Sequence, residues 1–148
     1  MAVFLKKKTV PVDGEEVEIT QLSGLDRFNF LDYCSDLPKP ETPERPAENA
    51  SSKEMDQFYE AMSVASKKWE RLSFMGQSRL VAYGTKFDID DLEERHQYIM
   101  SSMMPQQVKQ LHDEIAKFSG IPLPKSEENT EEPNSEPEEA QEPADPKG

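Results

Sequence analysis

The chain has 148 residues, of which 34% are apolar and 32% charged, and its formal net charge is −13. This length predicts one small domain, and the acidic balance excludes the basic footprint of a nucleic-acid-binding protein. No apolar run reaches membrane-spanning length, and residues 1–10 lack the apolar core of a secretory signal. A single cysteine excludes a disulfide framework. The sequence therefore predicts a protein of a reducing cytoplasm.

The first predicted element is a β-hairpin over residues 3–22. Phe4–Val10 and Glu16–Gln21 have the composition of strands. Between them, Asp13 and Gly14 suit the positive φ angles of a two-residue type I′ turn. A lone hairpin is marginal in water, so we expect it to pack on the helices that follow.

The predicted turn also sets the register of the hairpin. A two-residue loop at this place puts Val10 opposite Val17. It brings three lysines, Lys6–Lys8, to face Glu16 and Glu18 on the second strand. We therefore interpret the lysine run as part of a charge-paired strand rather than as a phosphate contact.

A first helix is predicted over residues 23–36. Ser23 is an N-cap residue, and Pro38 ends the helix because the residue before a proline avoids helical angles. The apolar side of this helix consists of Leu25, Phe28, Leu31 and Cys34. We interpret Cys34 as a small buried hydrophobe rather than as a reactive thiol.

Two Pro-rich segments are predicted to lie outside the core. Residues 38–50 contain four prolines and no large apolar residue, which predicts an extended, mobile linker. Residues 126–148 carry nine acids and one lysine, a net charge of −8, which leaves −5 of the total to residues 1–125. That segment has no aromatic residue and cannot bury enough surface to offset its ordering entropy, so we predict a disordered acidic tail.

A helical block over residues 51–120 holds most of the core-forming side chains. Ser51 and Glu54 have the spacing of a capping box at its start. Three- and four-residue steps then place one apolar face on the first helix of the block: Met55, Phe58, Tyr59, Met62, Ala65, Trp69 and Leu72. Beyond Gly76 the apolar pattern resumes with Leu80, Val81 and Tyr83.

Two more helices are predicted after Phe87. Acids at positions 88–91 supply N-cap candidates for a helix that carries Leu92, Ile99 and Met103. Pro105 then begins a last helix and Gly120 ends it, with the apolar stripe Val108, Leu111, Ile115 and Phe118. The predicted fold class is α+β, mainly α: an N-terminal β-hairpin packed on a small helical domain over residues 1–125, followed by the acidic tail.

The polar clusters in the sequence do not have the spacing of a catalytic or metal site. His96 and His112 fall on the apolar stripes of their helices, so we interpret them as packed or rim histidines. The acids at 88–94 lack the spacing of a calcium loop and are typical of a helix N-terminus. Because the sequence also lacks a nucleophile elbow and a phosphate-binding loop, we predict no enzyme, no catalytic residue, no cofactor and no metal.

Methionine is concentrated in the helical block, at positions 55, 62, 75, 100, 103 and 104. These residues can be ordinary core filling, or they can form an exposed apolar groove for a helical partner, because Met is common on adaptable binding surfaces. If such a groove exists, the candidate contact residues are Trp69, Leu72, Ile99 and Met103.

Several short stretches resemble one known family. The segments Phe4–Lys6, Val17–Arg27, Leu80–Ala82, Met104–Pro105 and Phe118–Gly120 are similar, in the same order and spacing, to the minor tail protein G of lambda-like tailed bacteriophages. None of these segments is specific alone, and the resemblance is carried by their co-linearity. It covers roughly residues 4–26 and 79–120, whereas residues 53–78 match poorly.

The resemblance implies a tail assembly chaperone without catalytic residues. Such proteins act in the host cell cytoplasm, are absent from the finished virion and are thought to coat the tape measure protein, a long helical chain with exposed apolar stripes. The resemblance also implies a longer product of a −1 ribosomal slip, whose extra domain recruits the tail tube subunit. Codons for Asp145, Pro146 and Lys147 can contain a slippery heptanucleotide, as can those for 123–125. Self-association is a further expectation, and no nucleic acid or membrane partner is implied.

Two other classes of function remain open from the sequence. The chain can be a structural subunit of the virion, such as a tail completion protein. It can also be an acidic decoy that inhibits a host protein by mimicking nucleic acid. The decoy requires negative charge on the folded surface, yet most of the charge lies in residues 126–148.

Overall fold

A computed structural model describes residues 3–123 of the chain. Its strands are β1 (Lys7–Val12) and β2 (Glu15–Thr20), and its helices are α1 (Gly24–Asp36), α2 (Ser52–Gly84), α3 (Leu92–Ser102) and α4 (Pro105–Phe118). The predicted α+β architecture, a hairpin followed by mainly helical structure, is confirmed. The predicted acidic tail and the region of the predicted ribosomal slip lie outside the described residues.

The hairpin has the predicted turn and register. Asp13 and Gly14 have φ angles of 50° and 87°, and Val10 pairs with Val17. The first strand begins three residues later than predicted, at Lys7, and extends to Val12. Alternation along the strands buries one face, which consists of Val10, Val12 and Ile19, against α4.

The predicted charge pairing across the hairpin is wrong. The register sets Glu18 opposite Thr9 and Glu16 opposite Pro11, so neither acid faces a lysine. Lys8 instead reaches α4, where its Nζ lies 3.8 Å from Oε1 of Glu114 and 4.9 Å from the ring centroid of Phe118. Its charge therefore helps to hold the hairpin on the helices.

α2 is one continuous helix of 33 residues. The predicted capping box is present, because Ser51 Oγ accepts from the Glu54 amide and Oε1 of Glu54 accepts from the Ser51 amide. The helix continues through Gly76, because a single glycine costs a helix only about 1 kcal/mol. A Cβ at Gly76 would lie 3.5 Å from the sulfur of Cys34.

The core lies around the second half of α2 rather than along its whole length. The largest fully buried side chains come from β2 and the three later helices: Ile19, Leu80, Ile99, Leu111, Ile115, Val81 and Val108. Between residues 52 and 77 of α2, Ala65 is the only buried residue. The first half of the helix thus extends beyond the core.

The caps of α3 and α4 follow the sequence prediction. Asp91 is the N-cap of α3 and its Oδ2 accepts from the Glu94 amide at 2.9 Å. α4 begins at Pro105 and is followed by Gly120 with a φ of 74°. The amide of Ile121 then donates to the carbonyl of Ala116 at 2.8 Å, which is the long hydrogen bond of a Schellman motif.

The Pro-rich segment between α1 and α2 is extended, as predicted, but it packs against α2. Half-buried positions recur every third residue, which is the period of a polyproline II helix: Leu37, Pro40, Pro43 and Pro46. Pro40 and Pro43 border one cleft with Ala61 and Ala65 of α2. The segment runs back from the end of α1 to the start of α2. Its 13 steps from Leu37 to Ala50 reach about 40 Å when extended. That length is enough to pass along roughly 24 residues of α2, which rise about 36 Å. We call residues 37–50 the strap.

His96 is a packed histidine, as predicted, and its hydrogen bonds fix the tautomer. Ser78 Oγ donates to the Phe74 carbonyl at 2.7 Å, so it accepts from Nε2–H of His96 at 2.9 Å. Nδ1 of His96 then accepts from Arg79, whose guanidinium also binds Glu93 at 2.8 Å. Burial and the positive charge of Arg79 both lower the pKa of His96, so the ring is neutral and serves as a structural bridge between α2 and α3.

Candidate partner-binding surface

α1 presents an apolar side that nothing in the described structure covers. Leu25, Phe28 and Leu31 have 69%, 67% and 50% of their surface exposed, and no residue of α1 is buried. The helix touches α2 near its C-terminal end, where Cys34 lies near Gly76. An exposed stripe of this kind on a helix is typical of a surface that binds another protein.

The first half of α2 continues this exposed apolar surface. Its exposed large apolar residues are Tyr59, Met62, Val64 and Trp69. The positions Met55, Phe58, Met62, Ala65, Trp69 and Leu72 also alternate steps of three and four residues, which is the spacing of a coiled-coil seam. The strap covers part of this seam, where Ala65 is buried, and leaves Met62 and Trp69 exposed to a second helix.

A groove connects α1 with α2. A cavity of about 530 Å³ lies between α1, α2, α4 and residues 121–123, and its walls include Leu31, Trp69, Leu72 and Ala116. A second cavity of about 380 Å³, between the strap and α2, shares Lys39 and Leu72 with it. We call the two cavities together the α1–α2 groove.

The structure brings two of the four predicted contact residues together. Trp69 and Leu72 both line the α1–α2 groove. Met103 is half-buried beyond the end of α3, packed against the core, and does not line the groove. Ile99 is fully buried in the core, so its side chain offers no surface to a partner and we leave it out of the candidate surface.

The methionines are not core residues in the described chain. None of the six in the helical block is buried, and Met62 and Met104 are 37% and 52% exposed. Only Met75 lines the α1–α2 groove. Core filling therefore accounts for Met103, which packs against the core, but not for Met62 and Met104, and the six do not form a single patch.

Sequence reasoning missed the exposed residues of α1 as contact candidates. Leu25, Phe28 and Leu31 have the spacing of a packed helix side, and spacing alone does not say what packs there. One signal was available, because the predicted helices carry more apolar stripes than a small hairpin-and-helix core can cover.

The groove is lined mainly by apolar residues, and its titratable lining residues include Cys34, His112 and Asp113. Burial raises the pKa of the Cys34 thiol, and the positive charge of Lys39 offsets this only in part, so the thiol is protonated at neutral pH. No group of His, Cys, Asp and Glu that could hold a metal lies within residues 3–123. Over the same range, no helix is both long and apolar enough to cross a bilayer.

Comparison with known proteins identifies a family for nearly the whole chain. Residues 3–140 match the model of a family described as bacteriophage lambda tail assembly chaperone, TAC, protein G. The resemblance seen in the sequence is thereby confirmed. No curated protein and no solved structure matches the chain.

Proposed function

We propose that this chain, which belongs to the lambda protein G family of bacteriophage tail assembly chaperones, binds the tape measure protein through the α1–α2 groove. Binding keeps that long apolar chain soluble and promotes polymerisation of the tail tube. We place this activity in the host cell cytoplasm and not in the virion. Chaperones of this family are generally not enzymes, and we propose no catalysis for this chain.

One observation carries the proposal. A domain of this size would normally bury the apolar sides of its helices, yet α1 leaves Leu25, Phe28 and Leu31 exposed and the first half of α2 leaves Met62 and Trp69 exposed. A helix-in-groove contact would cover these residues together. Trp69 is the candidate anchor, because Trp is enriched among the residues that dominate the energy of protein interfaces.

The longer product of a ribosomal slip is the second part of the proposal. A slip at Lys147 would place residues 126–148, with their nine acids, between the chaperone domain and an added domain. A charged tether of this kind stays extended and raises the effective concentration of a recruited tube subunit to roughly millimolar. The gene sequence tests this part, because it must contain a slippery heptanucleotide over codons 145–147 or 123–125, and immunoblots must show two products.

The binding part is tested by co-expression with the tape measure protein. We expect the unaltered chain to keep it in the soluble fraction. Trp69→Glu and Leu31→Glu should fold normally, since both side chains are exposed, but should weaken binding at least about tenfold because losing a central anchor costs about 2 kcal/mol or more.

Met104→Glu is the matched control, because it makes the same apolar-to-acid change at an exposed residue outside the groove. If Trp69→Glu and Leu31→Glu still solubilise the tape measure protein, the surface is not the groove. Loss of solubilisation with Met104→Glu alone would place the surface at the end of α3, where Met103 lies.

Detection of this chain at stoichiometric level in purified particles would favour a virion structural subunit instead. An acidic decoy would solubilise no phage protein and would capture a host protein through its acids.

A further inference from the structure

The smaller cavity of the α1–α2 groove has a charge opposite to that of the whole chain. Its lining consists of Pro38, Lys39, Pro40, Lys68, Arg71, Leu72 and Met75. Three of these residues are cations and none is an acid, although the chain carries a net charge of −13. An adjoining cleft shares Lys39 and Lys68 and is also lined by Glu41 and Glu44, so the two linings together hold three cations and two acids. Because the Debye length is about 8 Å at physiological salt, more distant acids contribute little to the field inside the cavity.

Two of the three cations at this rim are available to pair with a partner. Within residues 3–123, neither Lys68 nor Arg71 forms an ion pair. Nζ of Lys39 donates to the carbonyls of Cys34 at 2.6 Å, Leu37 at 2.9 Å and Ser35 at 3.4 Å, so it contributes its positive charge from a fixed position at the end of α1. Two exposed cations and one fixed cation thus surround an apolar floor.

The apolar floor decides which acidic molecule fits. It is made by Leu72 and Met75, and it continues into the larger cavity toward Trp69. Residues 126–148 of the chain itself are acidic but contain no aromatic residue, leucine, isoleucine, valine or methionine, so they have nothing to fill this floor. A helix with an apolar stripe and acids along its border would satisfy both the floor and the rim.

We propose that the α1–α2 groove selects helices whose apolar stripe is bordered by Asp or Glu. The positive charges of Lys39, Lys68 and Arg71 attract these acids. This inference rests on the proposed function, because it specifies which segments of the tape measure protein are bound. A helix bordered by Lys or Arg would leave the three cations facing like charges in a partly desolvated site. The groove therefore discriminates by charge as well as by apolarity.

Two designed peptides test the selection with the full-length protein. Both have about three heptads and the same leucine stripe, and the border positions are Glu in one and Lys in the other. At about 50 mM salt we expect the Glu peptide to bind about five- to tenfold more tightly, as three partly exposed ion pairs allow. The difference should largely disappear at about 500 mM salt because screening removes it.

Charge reversal identifies the residues that select the peptide. Lys68→Glu combined with Arg71→Glu should remove or invert the preference for the Glu peptide. The control is Lys53→Glu combined with Lys86→Glu, which makes the same change in net charge at exposed residues outside the groove and should leave the preference intact.

Several outcomes would overturn the inference. These are equal affinity for the two peptides, binding of neither peptide, or a preference that survives reversal of Lys68 and Arg71.

A peptide with the sequence of residues 126–148 should compete poorly for the groove. If it competes as well as the Glu peptide, charge alone decides the binding and the acidic segment of the chain itself is the better occupant. If the preference fails while the tape measure protein stays soluble in co-expression, the proposed function stands without this selection. A preference that holds without solubilisation would point to a different helical partner.

Discussion

Replacing Gly84 by alanine is expected to lower the free energy of unfolding by about 2 kcal/mol, in the range measured for overpacked cores. A Cβ at this position would lie 2.7, 2.8 and 3.0 Å from the Cγ2, Cδ1 and Cγ1 atoms of Ile115. Ile115 is fully buried, so its side chain has no free space into which it can move. The loss should lower the thermal midpoint by roughly 8 °C in a domain of this size.

Gly76→Ala is the matched control on the same helix. A Cβ there would meet the sulfur of Cys34 at 3.5 Å, an ordinary contact distance. The interior of α2 should gain about 0.5–1 kcal/mol from the better helix former. Urea unfolding followed by circular dichroism compares the two variants. Equal stability of Gly84→Ala and the unaltered chain would mean that α4 can move away from α2 at no cost.

The same variant separates stability from function. Gly84 lies at the end of α2 where α4 packs and does not itself line the α1–α2 groove, although Ala116 of α4 does. Below its own midpoint, Gly84→Ala should therefore still keep the tape measure protein soluble. Loss of function in Trp69→Glu with unchanged stability would be the complementary result.

The parts of the fold that local chemistry decides were predictable from the sequence. The hairpin register follows from Asp13 and Gly14, because a two-residue loop with positive φ angles leaves one pairing. The starts of α2 and α3 follow from Ser51 and Asp91, whose side chains accept from backbone amides that the helix cannot satisfy. Gly120 ends α4 for the same local reason.

The parts that depend on tertiary packing were not predictable. The heptad-like stripe through Met62 and Trp69 predicted a core face, yet periodicity cannot show that the core ends near Ser78. For the same reason the sequence placed Ile99 among the contacts and overlooked Leu31.

Buried cations were the other feature that the sequence did not show. Charged side chains are expected at the surface, so Arg79 and Arg95 attracted no prediction. Both are less than 9% exposed in the structure and both connect α2 to α3. Their partners are distant in sequence or are backbone carbonyls, which no residue pattern reveals.

Arg95 holds the turn between α2 and α3. Its Nε donates to the carbonyl of Ala82 at 2.7 Å, one of the last α2 carbonyls, which have no partner within the helix. Nη1 donates to the carbonyl of Ile89 at 2.6 Å and to that of Asp90 at 3.2 Å. The same turn contains two consecutive residues in the left-handed region, Phe87 and Asp88, with φ angles of 48° and 58°. Such conformations cost of order 1 kcal/mol each and persist only when surrounding contacts fix them.

Arg95→Ala should lower the free energy of unfolding by about 3 kcal/mol, because it leaves buried carbonyls without a donor and releases the strained turn. Arg95→Lys should recover only part of this loss, since one ammonium cannot reproduce the fork that reaches both Ala82 and Ile89. Arg27→Ala, at an exposed arginine of α1, should change stability by no more than about 0.5 kcal/mol.

Urea unfolding measures the free energy of unfolding of all three variants. Amide hydrogen exchange should show the loss of protection concentrated at the start of α3 and the end of α2. An Arg95→Ala variant as stable as Arg27→Ala would mean that the turn is held by the packing of Phe87 against Tyr98, whose ring centroids lie 5.5 Å apart, and not by the guanidinium.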